Sequence, residues 1–509
     1  MSKHMNTNAE TSKPVSWPGR VAVALLVLLV VGAAPLLGQE SEAEEPAATE
    51  APAEPAAEEP AGEEAGSEEA GSEETGTEEP AGAEEESDGE KPLIEQWRET
   101  LLYGIDSQVE ELLPVLADNN ETRLNEEVEQ LLQTTLNPRL KASIFDFFAQ
   151  VDADIAVEEA GEILSSYRDE EGELVRAVIS YLRNGEFETP GEVLETVHPM
   201  TTDRVAGFAG PASRLLGEKG GEAEVAVLLE ALEQARDSEL RGQIVLALGD
   251  LGSDKAVDPL LEIAGNDGNS RLLRGYAADS LGRIGDEKAI DVLREMVSSQ
   301  DALVRGYAIS ALSRFEGENV EQSLMSALRD SVWRVRDFAL QGIARNGITE
   351  AVPAVIYKAR EDPEARVRSR AFETLVRLGT EEARSFVTEY VLEASNPLAE
   401  RRAAAGALIE HALGESIGTL TKLVEQEWSA RQATLVGYVA KELSQKEEPA
   451  LSDLYAKFLT HSDPGVQVYG LRGIARNEIS GLKDRVREKT DEGNHPAVRQ
   501  NAETALEQL

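Results

Sequence analysis

The chain has 509 residues, a formal net charge of −47, no cysteine and five histidines. That composition excludes thiol nucleophiles and disulfide staples, and so acidic a surface disfavours nucleic acid, whose phosphates need a positive face. It favours cationic partners and, more generally, solubility through self-repulsion.

Residues 1–38 read as an export signal. Lys3, Lys13 and Arg20 precede an apolar run, Val21–Val31, and small residues continue as far as Gly38. The run is short for a membrane-crossing helix, which needs about 20 apolar residues. A signal cleaved near Gly38 and an uncleaved N-terminal membrane anchor both fit, and either one exports the repeats. The expected location is the periplasm or the outer face of the cytoplasmic membrane. Residues 39–90 hold 21 acidic residues and no Lys or Arg, with a five-residue period over Glu58–Gly82. Without large apolar residues this tract is predicted to be disordered, as a solubilising linker or as a spacer.

Residues 91–240 are predicted to be helical but irregular. Leu101, Ile105, Val109 and Leu112 recur at helical spacing within Leu93–Leu116, and Pro114 is expected to end or kink that helix. The aromatic stretch Ile144–Phe148 is expected in the core. Gly185–Arg204, with Pro190, Gly191 and Pro199, reads as a longer inter-helix loop.

Residues 241–509 repeat themselves. Val335–Asn346 reads VRDFALQGIARN, and Val466–Asn477 reads VQVYGLRGIARN. An arginine behind a hydrophobe recurs at Arg241, Arg274, Arg305, Arg336, Arg368, Arg401 and Arg431, in steps of 30 to 33 residues. Three residues on stands a small residue, as in Ala277, Ala308 and Ala339; seven on stands an aliphatic one, as in Leu281, Leu312 and Ile343. Those offsets share one helix face. Gly252, Gly285, Gly347 and Gly379, eleven residues after the arginine, suit a left-handed helix end. Ser253, Asp286 and Thr380 then suit the start of a second helix. Neither helix of such a pair can bury its apolar face alone, so the units must stack.

The strongest unit, Arg274–Leu293, reads RGYAADSLGRIGDEKAIDVL. It resembles the HEAT repeat, in the subtype first named for phycobilisome lyases, through its Arg, small residue, Leu-Gly, Ile-Gly-Asp, Ala-Ile and Leu. The resemblance is clear over 239–380 and looser over 380–509. It implies an all-α fold, an α-α superhelix of about twelve helical hairpins serving as an interaction surface. It also implies that Arg241, Arg274, Arg305, Arg336 and Arg368 form a structural ladder of ion pairs between units. It does not imply lyase chemistry.

Two further columns align along the units. Nine residues after the ladder arginine stand Arg283, Arg314, Arg345, Arg377 and Arg476. A cation in the last helical turn complements the helix dipole, with acidic residues of neighbouring units as its partners. The alternative is a basic stripe that grips the carboxylates of a binding partner. Two residues after the ladder position stand Tyr276, Tyr307, Phe338 and Tyr469; six after it stand the small residues Ser280, Ala311, Gly342 and Gly473. An aromatic near a small residue reads as packing between units.

Catalytic readings have little to stand on. His4, His198, His411, His461 and His495 are never paired at i, i+4, so no metal site is predicted. Deoxyhypusine hydroxylases share this repeat and carry His-Glu ligand pairs; here the neighbouring pair, Glu410-His411, is reversed and alone. The expected function is a non-catalytic, cofactor-free scaffold or adaptor of the cell envelope, binding unidentified proteins on a concave face lined by second helices. One alternative is an envelope spacer that contacts cell-wall polymer; another is a HEAT-type enzyme.

Overall fold

A computed structural model describes residues 92–203, 207–429 and 434–509 of the chain. The segment read as an export signal, the acidic tract and Arg431 lie outside the described residues. Every regular element among the described residues is helical. The elements alternate between first helices, which carry the ladder position, and second helices, which fold back on them.

The first helices form one continuous row, each packed on the one before and the one after. The row starts at Asp106–Asp118 and ends at Pro496–Gln508, and the architecture is an α-α superhelix. It crosses residue 240 without a break, since Ala209–Lys219, Ser238–Leu251 and Arg271–Ile284 are successive members. The second helices, such as Val257–Gly265 and Val352–Glu361, pack mainly on first helices.

The periodic pattern explains why this stack holds. The aliphatic residues at the seventh offset, Leu248, Leu281, Leu312, Ile343 and Leu375, are fully buried. So are the small residues Ala277, Ala308, Ala339 and Ala371. Each large side chain removed from water contributes about 1.5–3 kcal/mol, and each alanine lets the neighbouring helix come close enough to complete the packing. The helices then stop where glycine lets the chain turn: Gly252, Gly285, Gly347 and Gly379 have φ of 68°, 79°, 62° and 61°. The Thr380 hydroxyl accepts the Ala383 N–H at 3.2 Å and starts the next helix.

Successive units approach closely at two recurring glycine positions. A methyl group on Gly249 would stand 2.4 to 2.7 Å from the side chain and Cα of Ser280 in the next unit. On Gly275 it would stand 2.3 Å from the ring of Tyr307. The aromatic column therefore does pack between units. The surface each ring covers is the glycine beside the ladder arginine of the preceding unit, Gly242 under Tyr276 and Gly306 under Phe338. Tyr276 and Tyr307 also meet edge to face, with centroids 6.2 Å apart.

Two expectations for the N-terminal units need correction. Pro114 neither ends nor breaks its helix: Asp106–Asp118 runs through it. Pro114 itself is exposed. The break falls earlier, at the extended Gly104, after Leu93–Tyr103; the Gln108 side chain then accepts the Ile105 N–H at 3.2 Å and starts the next helix. The segment read as a loop over 185–204 contains the helix Gly191–Val197 and the 3₁₀ turn His198–Thr202, built on buried Val193, Leu194, Val197 and Met200. The aromatic stretch at 144–148 is core as expected, with Ile144, Phe145, Phe147 and Phe148 buried.

Candidate interaction surface on the first helices

The ladder position sits at the start of each first helix and looks toward the next unit. Arg305 donates to both oxygens of Asp330, at 2.7 and 3.0 Å. Arg336 does the same with Asp362, at 2.7 and 2.6 Å. Arg368 stands 2.8 Å from Glu400, and Arg401 donates to Glu427 at 2.8 Å. The same side chains also close their own loops, as when Arg336 Nη1 donates to the carbonyls of Asp330 and Ser331.

The first two ladder arginines do otherwise. Arg274 pairs with Asp267 of its own loop and donates to the Ala264 carbonyl at 3.0 Å. Arg241 makes no ion pair, and its Nε is buried without a partner. The cause is local. Asp330 lies 25 residues after Arg305, but the residues 25 after Arg241 and Arg274 are Asn266 and Ser299, which carry no charge.

The column nine residues on splits in the same way. Arg283 pairs with Asp250 of the preceding unit and with Asp279 of its own helix, the latter at 2.7 Å. Arg314 donates to the same Asp279 at 2.9 Å. Arg476 donates to the Ser444 carbonyl at 3.3 Å. Arg345 and Arg377 are exposed and have neither ion pair nor hydrogen bond. Loss of hydration and then the like charges of Arg314 and Arg377 hold Arg345 below the ordinary arginine range. Three guanidinium groups thus form a positive ridge whose last two members are uncompensated.

The residues at the fifth offset bear on which arginine is compensated: Asp279 serves both Arg283 and Arg314, whereas Glu373, beside Arg377, is taken by Arg370. Arg314 reaches back to Asp279 at that offset; the equivalents for Arg345 and Arg377 are Ser310 and Gln341, both uncharged. Sequence reasoning missed this, and it also missed Trp333, Arg334 and Arg366 at the other end of the same helices. Arg334 and Arg366 lie over the Trp333 ring, 4.9 and 5.5 Å from its centre. Their signal was available, because eleven residues separate Arg334 from Arg345 and Arg366 from Arg377, three helical turns.

No group of His, Asp and Glu among the described residues has the arrangement of a metal site. A pocket of about 500 Å³ between Pro138–Gln150 and Gly172–Asn184 is lined by charges of both signs, among them Arg139, Asp146, Glu173 and Arg176. Burial, and then Glu173, raise Asp146 within it.

The stack of helical hairpins agrees with the family comparison. The model of the spirochaete HEAT repeat protein family matches residues 101–505. The chain belongs to this family. No curated protein matches this HEAT repeat protein. Among solved structures it is similar to the complex of CpcE and CpcF of phycocyanin lyase from Nostoc sp. PCC7120, at 18% identity and a TM-score of 0.29. That match covers 56% of this chain and 93% of the other. It is also similar to Kap121p, at 12% identity and a TM-score of 0.39, over 81% of this chain and 54% of that one. A third is Kap95p bound to RanGDP, at 13% identity and a TM-score of 0.44, over 81% of this chain and 60% of that one. The HEAT repeat protein spans little more than half the length of the two karyopherins.

Proposed function

We propose that this HEAT repeat protein is a non-catalytic scaffold of the cell envelope that binds other proteins through the exposed stripe of its first helices. The observation that carries the reading is the exposed pair Arg345 and Arg377, which no acidic side chain compensates in a molecule of net charge −47. Both arginines complement their own helix dipoles, and with no carboxylate of the fold beside them their donors also suit a partner's carboxylates. This face replaces the second-helix face expected from the repeat alone, because the uncompensated charges stand on the first helices. The acidic remainder of the surface suits cationic stretches of the same or other partners. The export segment supports an envelope location, and the acidic tract serves as a spacer that holds the repeats away from a membrane.

The test is crosslinking in intact cells, then affinity purification of the full-length protein and sequencing of its N-terminus. One dominant crosslinked protein, with contacts in residues 333–377, is the expected result. Co-sedimentation with purified wall material and no protein partner would replace the scaffold with the spacer reading.

A further inference from the structure

Charge is unevenly distributed along the repeats. Residues 329–377 hold ten Lys and Arg against seven Asp and Glu, a net of +3; residues 91–509 as a whole carry −28. Two first helices lie in this segment, Trp333–Asn346 and Ala365–Leu378, and they pack side by side.

On each helix the positions two before and two, five and nine after the ladder arginine fall in one narrow sector, because eleven residues are three turns to within about 20°. The first stripe reads Arg334, Phe338, Gln341, Arg345; the second reads Arg366, Arg370, Glu373, Arg377. The four end arginines are exposed, and none has an ion pair or a hydrogen bond. The middle is neutralised, since Arg370 pairs with Asp337 at 3.1 Å and with Glu373. At the upper end the Trp333 ring holds Arg334 and Arg366 near each other against their repulsion. Trp333–Asn346 has neither an acidic N-cap nor an acidic residue in its first turn, so the partial positive charge of its N-terminus adds to that end; Ala365–Leu378 instead starts beside Glu364. Neighbouring units lack the upper arginine: Leu272, Leu303 and Ala399 occupy its position. The four-cornered arrangement is therefore confined to this pair of helices. Its long side is about 16 Å, eleven residues at the helical rise, and its short side about 10 Å, the spacing of packed helices.

We propose that this face docks an acidic polypeptide segment of a partner protein, lying parallel to the two helices. Carboxylates near one end of the segment meet Arg334 and Arg366, and carboxylates near the other end meet Arg345 and Arg377. A small anion touches one corner pair only. A chain that touches both needs about five extended residues at 3.3 Å each. Guanidinium forks match carboxylates in pairs, and the neutral centre leaves the ends to set the register. This inference rests on the scaffold reading and adds the chemistry and direction of the partner.

The test uses the full-length protein and fluorescent oligoglutamate peptides, read by anisotropy at physiological salt. Octaglutamate is expected to bind at least tenfold more tightly than triglutamate. Arg334→Ala with Arg366→Ala, and separately Arg345→Ala with Arg377→Ala, should each weaken octaglutamate about tenfold, the size of one or two charge-assisted contacts. Each pair should leave the melting temperature unchanged within a degree or two, as expected for exposed side chains without partners. Arg485→Ala with Arg487→Ala, a remote change of equal charge, should leave binding unaltered. The inference is overturned if octaglutamate binds no better than triglutamate or inorganic phosphate, or if the remote pair weakens it equally. If octaglutamate fails to bind while crosslinks in cells map to this face, the docking chemistry falls and the scaffold stands. If octaglutamate binds as described while no protein partner is crosslinked, the scaffold falls and the docking chemistry stands.

Discussion

Arg336 and Asp362 form a two-pronged ion pair between successive units, and the Asp362 side chain has no exposed surface. Such a pair adds little net stability over an apolar one, but removing one partner leaves a buried charge alone. Asp362→Ala, which strips the buried Arg336 of its carboxylate, should destabilise the fold by about 3–5 kcal/mol, and Arg336→Ala by less, because Lys358 still pairs with Asp362 at 3.2 Å. Arg336→Ala with Asp362→Ala should cost less than the sum of the two single changes. Urea unfolding of the four proteins measures this, and simple additivity would mean that the two residues do not act as a pair.

The same pairs predict the acid limb of stability. Burial alone would raise Asp362 and Asp330; hydrogen bonds from Arg336 and Arg305, and from the backbone N–H groups of Glu364 and Val332, outweigh it and leave both carboxyls below their ordinary range. A lowered carboxyl stabilises the fold above its unfolded pKa and loses that contribution as pH falls through the folded one. Thermal midpoints should therefore be level near neutrality and fall below about pH 4. Asp330→Asn with Asp362→Asn should lower the midpoint at pH 7 and lie closer to the wild type at pH 3. A gap that stays constant with pH would exclude the titration of these two groups as its cause.

Glycines in helices normally cost up to about 1 kcal/mol relative to alanine. Gly437 lies in the helix Thr434–Leu443 with open space where a methyl group would go. Gly437→Ala should stabilise the protein by up to about 1 kcal/mol. Gly249→Ala meets the Cα of Ser280 at 2.7 Å and should destabilise it by about 1–3 kcal/mol. Calorimetry on the two variants separates helix propensity from the clearance between units; a shift of the same sign in both would refute the clearance argument.

The missing carboxylate of the ladder can be supplied. Ser299 accepts the Asp301 N–H at 3.2 Å, much as Asp330 accepts that of Val332 at 2.8 Å. Ser299→Asp keeps that turn and places an acid 25 residues after Arg274. It should raise stability by about 1 kcal/mol, the scale of a well-formed charged hydrogen bond. The gain should disappear when Arg274→Ala is also present, and a gain that survives would locate the effect elsewhere.

The repeat was legible because large and small residues alternate at fixed offsets, and the buried row from Leu248 to Leu375 obeys that rule. The left-handed helix ends at Gly252, Gly285, Gly347 and Gly379 were legible for the same reason. The interaction surface was harder to read because a column of identical arginines does not have identical surroundings. Arg314 meets Asp279 of the preceding unit where Arg345 has Ser310, and a single unit read alone does not contain that information. The N-terminal helices were misread where exposure decides the outcome, since an exposed Pro114 is tolerated where a buried one would not be.

The unequal joints also have a mechanical consequence. Where an arginine and a carboxylate bridge two units, sliding one unit over the next separates opposite charges. At Arg241 and Arg274 the ladder bridge is absent, but Arg283 with Asp250 and Arg314 with Asp279 bridge the same two joints from the other end of the first helices. The joints after Arg305 and Arg336 are pinned at the helix starts, by Asp330 and Asp362, and carry no such pair at Arg345 and Arg377. Tension along the row should therefore open the first two joints at the helix starts and the next two at the helix ends.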